Sequence, residues 1–301
     1  PLVSLLGDEG LGILGLDTSA GLVAGAAAGA GLLRETPVRV TAVASTTTAP
    51  ASGFADRASR IPTTVHPPTA VQPPAATPFP PGAPRPGIGQ QPDQVPQIRV
   101  DRYSEPGRPD RFEVYLGGTL DFAPRATDEP WDLTSNVGGI AGSDAAGSYR
   151  AVEQALAASG ATAQSDVVVT GYSQGGLVAA MLAASDDHHV TGLYTLGAPA
   201  AQVPVPADVP WVAVEHSDDI VPALGGTWDS TAPVVVRREV FGDGPPPGEL
   251  FFPAHELARY RDSAALLDAA ADPRIARVGD ALAPEENAAV RSTWYHAERT
   301  P

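Results

Sequence analysis

The 301-residue chain contains no Cys. Disulfides, thiol nucleophiles and thiolate metal sites are therefore excluded, and the redox compartment is left unmarked. Lys is missing as well, since all 19 basic residues are Arg. Schiff-base catalysis by a side-chain amine is excluded with it. Positive charge is scarce: 19 bases stand against 35 acids, for a formal net charge of −16. Nucleic-acid and anionic-membrane binding lean on excess positive charge, so neither is expected. Long apolar runs are also lacking. Residues 21–33 are apolar, but a spanning helix needs roughly 20 such residues, and Asp8, Glu9 and Asp17 interrupt the stretch before them. No basic region of a signal peptide precedes it. The chain opens at Pro1 and its single Met is Met181, which points to a trimmed amino terminus.

Hydrophobic residues make up 43% of the chain, enough for a sizeable core. Pro and Gly are in excess, at 32 and 31 residues. Twelve of the prolines fall within residues 62–97. Proline fixes φ and removes a donor, so this stretch reads as an extended linker. It divides the chain into three parts. Residues 1–61 read as a small-residue helical segment, with a β-branched run from Val38 to Thr48 left ambiguous. Residues 62–97 are the linker, and residues 98–301 read as the main folded domain.

Within 98–301 the pattern alternates. IRVDRY (98–103) and RFEVYLGGT (111–119) read as neighbouring strands joined by a turn. SYRAVEQALAAS (148–159) has helical spacing. DVVVTGY (166–172) is a continuous apolar strand of the kind covered on both faces. A helix follows at 174–185, then strands at 190–199, 210–217 and 234–241, and a helix at 254–270. Residues 273–301 read as one polar helix. Strands alternating with helices predict an α/β fold with a mostly parallel central sheet.

Gly171-Tyr172-Ser173-Gln174-Gly175 matches G-x-S-x-G. The pattern alone is weak, but its context is the required one: an apolar strand runs in and an Ala/Leu-rich helix runs out. A nucleophilic Ser must sit on a tight turn with Oγ exposed, and the flanking glycines remove side chains where strand and helix would collide. The hydroxyl is a weak nucleophile and needs a base. Of the six His residues, His66 lies in the linker, His188 and His189 precede a strand, His216 precedes the acids, and His296 is in the tail. His255 alone sits in a loop after the last predicted strand, at the mouth of a helix, so it is the expected base. Asp218 and Asp219 compete for the orienting carboxylate, and Asp219, directly before Ile220-Val221-Pro222, is preferred. The backbone of Gln174 is the first expected oxyanion donor. Thr119 is the second, through its N–H and hydroxyl, with Gly118 as the alternative. Tyr172, Trp131, Phe251 and Phe252 are candidates to line an acyl pocket with Gly118.

These motifs carry a resemblance. Residues 112–268 resemble serine hydrolases of the α/β-hydrolase superfamily, near the cutinase-like, PE-PPE-type and class 3 lipase branches of actinobacterial type. Gly-Tyr-Ser-Gln-Gly-Gly, Ser-Asp-Asp-Ile-Val-Pro and Pro-Ala-His are the matching segments. Gly118-Thr119 is similar to the corresponding pair in class 3 lipases, and residues 131–136 (WDLTSN) to a loop before the first helix in actinobacterial members. The missing Cys residues depart from cutinases. The resemblance implies an α/β-hydrolase fold and cleavage of small-molecule or lipid carboxylic esters through an acyl-enzyme, without metal or organic cofactor. The same residues also suit an acyltransferase, a thioesterase, or an inactive domain in a secretion-linked scaffold. The amino-terminal helices and Pro-rich linker resemble parts of secretion-linked proteins, implying a secreted or envelope location and a secretion partner held by residues 1–61.

Overall fold

The computed structural model describes residues 35–63, 95–123, 126–140, 146–228, 233–242, 252–284 and 288–301. The readings for residues 1–34, for most of the Pro-rich linker and for Phe251 lie outside these. The described elements run β1 (Val38–Thr48), α1 (Gly53–Arg60), β2 (Ile98–Ser104), β3 (Arg111–Leu116), α2 (Leu133–Ile140), α3 (Gly147–Ser159), β4 (Asp166–Tyr172), α4 (Gln174–Ala184), β5 (His189–Leu196), β6 (Trp211–His216), the short α5 (Ile220–Ala223), β7 (Val234–Arg238), α6 (Leu257–Asp268), α7 (Pro273–Leu282) and β8 (Ala289–Arg299).

One eight-stranded sheet has the order β1-β8-β2-β3-β4-β5-β6-β7. The strands from β3 to β7 pair in parallel. The pairs β1·β8, β8·β2 and β2·β3 are antiparallel. The chain is thus an α/β protein with helices on both faces of a mostly parallel central sheet. β4 shows why its sequence is apolar throughout. Val167 and Val169 enter the core cluster that contains Trp131, Leu156 and Leu182, while Val168 enters the cluster that contains Phe54, Tyr260 and Leu282. Residues of a strand alternate faces, so a strand covered on both sides carries no polar face.

One open reading is decided and one expectation is corrected. Residues 38–48, the β-branched run that the sequence left ambiguous, form β1. Residues 289–299, expected in a polar helix, form β8. The two pair along most of their length, from Val38 against Arg299 to Thr48 against Val290. Their β-branched and aromatic residues suit a half-buried pleat, and burial along β8 alternates from Val290 to Ser292 and Trp294. The sheet therefore includes a strand upstream of residue 98, where the main folded domain was expected to begin.

The end of β8 also anchors the start of α2. Buried Arg299 donates to Asp132 Oδ2 at 2.7 Å and Oδ1 at 3.0 Å, and to Ser135 Oγ at 2.8 Å. Asp132 Oδ1 accepts the N–H of Ser135 and so holds the first turn of α2. A fully buried carboxylate must be paired, and here the far end of the chain supplies the partner.

Candidate active site

The site is assembled from the carboxyl ends of β3, β4 and β6 and the turn before α6. β4 ends at Tyr172 and α4 begins at Gln174, so Ser173 alone makes the turn. Its φ of 55° and ψ of −123° make it the one non-Gly residue with positive φ among the described residues. Such a conformation persists only where the surroundings fix it. The Ser173 N–H bonds Leu196 O at 2.9 Å, and the Ser173 carbonyl accepts from Gly176 and Leu177. The glycines around it have a steric reason. A Cβ on Gly171 would lie 2.2 Å from Gly175 O, and one on Gly175 would lie 2.4 Å from Gly117 O.

Ser173, His255 and Asp219 form one hydrogen-bonded chain. Ser173 Oγ lies 2.8 Å from His255 Nε2, and His255 Nδ1 lies 2.6 Å from Asp219 Oδ2. Nδ1 faces a carboxylate, so it carries the ring proton, and Nε2 is left to accept from the hydroxyl. The Asp219 side chain is fully buried. Its Oδ1 accepts the Val221 N–H at 3.0 Å and its Oδ2 accepts the Tyr260 hydroxyl at 2.7 Å. Asp218 points elsewhere, accepting the N–H groups of Val240 and Phe241. Burial opposes the Asp218 charge, but those donors hold its carboxyl below the ordinary value.

Gly118 runs beside Ser173: a Cβ there would be 3.2 Å from Ser173 Cβ and 2.8 Å from the Tyr172 ring. The Gln174 N–H belongs to the first turn of α4, whose donors a helix leaves without internal acceptors. The Gln174 side chain is turned away. Its Nε2 donates to Ser148 Oγ and Pro130 O, and its Oε1 accepts from Thr119 Oγ1. Thr119 Oγ1 in turn accepts from Asn136 Nδ2 at 2.8 Å. The Thr119 hydroxyl is thus committed to these partners. This corrects the expectation that the hydroxyl is offered to an oxyanion.

The expected pocket residues separate. Trp131 is fully buried in the core, and its indole N–H donates to Gly117 O at 3.0 Å. It fixes the strand end next to Gly118 instead of lining a pocket. The Tyr172 ring stacks on His255 with centroids 5.1 Å apart, and its hydroxyl donates to His255 O. It backs the imidazole instead of facing a ligand. Phe252 is exposed. A cavity of about 620 Å³ opens elsewhere, against Leu177 and Met181 of α4 and Leu224, and Ser173, Asp219 and His255 do not line it.

Two residues around the site were not anticipated. Tyr260 donates to Asp219 and accepts from the backbone N–H of His216 at 3.2 Å. The His216 ring stacks on Tyr260 at 3.8 Å, with Nδ1 2.7 Å from Ala254 O and Nε2 2.8 Å from Ser263 Oγ. Burial pulls the His216 pKa below its ordinary value. In the sequence His216 is set aside because it precedes the acids, and nothing in its spacing marks it. Tyr260 lies five residues after His255 on a helix whose orientation only the fold fixes.

Among the described residues, no cluster of three or more His, Asp or Glu side chains is placed to hold a metal ion, and no helix is long and apolar enough to cross a membrane. Comparison with protein-family models, curated proteins and solved structures finds no match to the chain.

Proposed function

We propose that the chain is a serine hydrolase of α/β-hydrolase type that cleaves carboxylic esters through an acyl-enzyme. The observation that carries this reading is the continuous hydrogen-bonded chain from Ser173 through His255 to buried Asp219, with Ser173 held at positive φ between β4 and α4. The order of strands agrees with it: β3, bearing Gly118 and Thr119 at its end, lies beside nucleophile strand β4, with the acid-bearing β6 two strands further on.

In the first half-reaction Ser173 Oγ attacks the ester carbonyl while His255 Nε2 takes its proton. Asp219 holds the imidazole in the required tautomer and stabilises the imidazolium. The N–H groups of Gln174 and Thr119 stabilise the tetrahedral oxyanion, each contributing about 3 kcal/mol by the measure of other enzymes. The protonated His255 then gives its proton to the leaving alcohol. In the second half-reaction His255 activates water, which releases the acid and restores Ser173.

Apolar esters are the favoured substrates. Besides Leu266 on α6 and Leu224 at the separate cavity, the large apolar side chains exposed among the described residues are Phe122 after the end of β3, Ile220 after Asp219 and Phe252 before His255; these last three bear on the site. They stand on the loops that bear the reacting residues, where an apolar acyl or alcohol group gains most from leaving water. A panel of p-nitrophenyl esters tests the reading. Turnover in the wild type and none in Ser173→Ala is expected. Equal turnover in both overturns it.

A further inference from the structure

We propose that Tyr260 is a positioning residue for Asp219, held in place by His216. The inference rests on the hydrolase reading and assigns to it two residues outside the Ser-His-Asp chain.

Asp219 receives three hydrogen bonds. Val221 N–H binds Oδ1, while His255 Nδ1 and the Tyr260 hydroxyl share Oδ2. Removing the Tyr260 bond leaves Oδ2 anchored only by the ring it is meant to orient. A hydroxyl rotates, so its proton must itself be aimed. The Tyr260 oxygen accepts from the backbone N–H of His216, which directs the phenol's own proton at Asp219. Burial, and then the Asp219 charge beside it, push the phenol pKa far up, so it remains a donor.

His216 completes the brace. Nδ1 faces the Ala254 carbonyl and so carries the ring proton, and Nε2 then accepts from Ser263 Oγ. Arg238 Nη1 also lies on Ser263 Oγ, at 3.1 Å, which disfavours a second charge on the ring. His216 is buried with both nitrogens engaged, so it is not a spare base. Its work is mechanical. One face stacks on Tyr260, and its N–H holds the carbonyl of the residue immediately before His255. Tyr172 holds the carbonyl of His255 itself. The end of β6, the His255 turn and α6 are thereby fixed to one another around Asp219.

The test uses the full chain, p-nitrophenyl butyrate, a fluorophosphonate probe and proton NMR. Tyr260→Phe deletes one oxygen and keeps the ring that stacks on His216. Expected are an unchanged circular dichroism spectrum, an unchanged KM, and kcat lower by about tenfold, the scale of one hydrogen bond to a charged group. Labelling of Ser173 slows by the same factor. The low-field proton resonance of the His255–Asp219 bond shifts in this variant, a response that loosened packing elsewhere does not produce. His216→Asn retains a donor for Ala254 O but cannot stack, and its kcat falls between wild type and Tyr260→Phe. A wild type that labels on Ser173, beside a Tyr260→Phe variant with equal kcat and an unmoved resonance, overturns this inference alone. A wild type that neither turns over nor labels overturns the hydrolase reading and this inference with it.

Discussion

Thr119 Oγ1 donates a hydrogen bond to Gln174 Oε1 across 3.1 Å. This bond joins the loop after β3 to the first residue of α4, the two segments whose backbone N–H groups are proposed to hold the oxyanion. Asn136 of α2 supports it by donating to the same Thr119 hydroxyl. Oxyanion donors act through preorganisation, so the distance between these segments matters more than the side chains themselves.

Thr119→Val keeps the shape of that side chain and removes its hydroxyl. Buried Gln174 Oε1 then loses its donor, at a cost of about 1–3 kcal/mol. A lower thermal midpoint together with a several-fold lower kcat is expected, measured by calorimetry and ester turnover. A lower midpoint with unaltered kcat contradicts the link between this bond and the oxyanion site.

Asp219→Asn and Asp218→Asn separate the two neighbouring acids. An amide at 219 can present its NH₂ to His255 and favour the wrong tautomer, so kcat falls by about 10⁴ by the precedent of other serine hydrolases. Asp218→Asn weakens bonds to Val240 and Phe241, which lowers stability slightly and spares kcat. Steady-state kinetics on the two variants decides the assignment.

Gly118→Ala tests the close approach beside the nucleophile. The new Cβ meets the Tyr172 ring at 2.8 Å and Ser173 Cβ at 3.2 Å. Displacing Tyr172 moves the ring that stacks on His255, so kcat/KM drops at least tenfold while the protein still folds. Gly175→Ala instead drives a Cβ to 2.4 Å from the Gly117 backbone oxygen, and the expected outcome is loss of soluble folded protein. Folded yields and kinetics of the pair test both statements.

Glu129 gives the stability a pH dependence. Burial first, with the Asp132 charge adding to it, pushes its carboxyl up to about 7 from an ordinary 4.5, against the Trp131 N–H and Gln97 that favour the charge. The folded state therefore binds this proton more tightly than the unfolded chain. The resulting stabilisation is complete below about 4.5 and is lost as pH rises through about 7. Glu129→Gln lacks this loss. Its thermal midpoint relative to wild type rises between pH 4.5 and 7 and levels off above. A constant difference across that range contradicts the shift.

The centre of the sheet was legible because β4 carries an apolar run, Val167 to Val169, and leads at once into the Ala/Leu-rich helix α4, a local signal. β1 and β8 were not, because their pairing joins residues such as Val38 and Arg299 from opposite ends of the chain. Alternation in β8, with Val290, Ser292 and Trp294 buried, was present in the sequence but was read as a polar tail. At the site, Ser173, Asp219 and His255 could be chosen by type and order, and they lie within hydrogen-bonding distance of one another. The directions of Trp131 and Tyr172 could not be chosen that way. One-dimensional spacing places an aromatic near a site without saying whether its ring faces a ligand, the core or the imidazole.

Peptide mass spectrometry after treatment with a fluorophosphonate probe bears most directly on the account. A single phosphonyl adduct on Ser173, lost in His255→Ala, is the result expected of a hydroxyl activated by that imidazole. An unlabelled Ser173 in the folded wild-type chain, or labelling undiminished in His255→Ala, contradicts it.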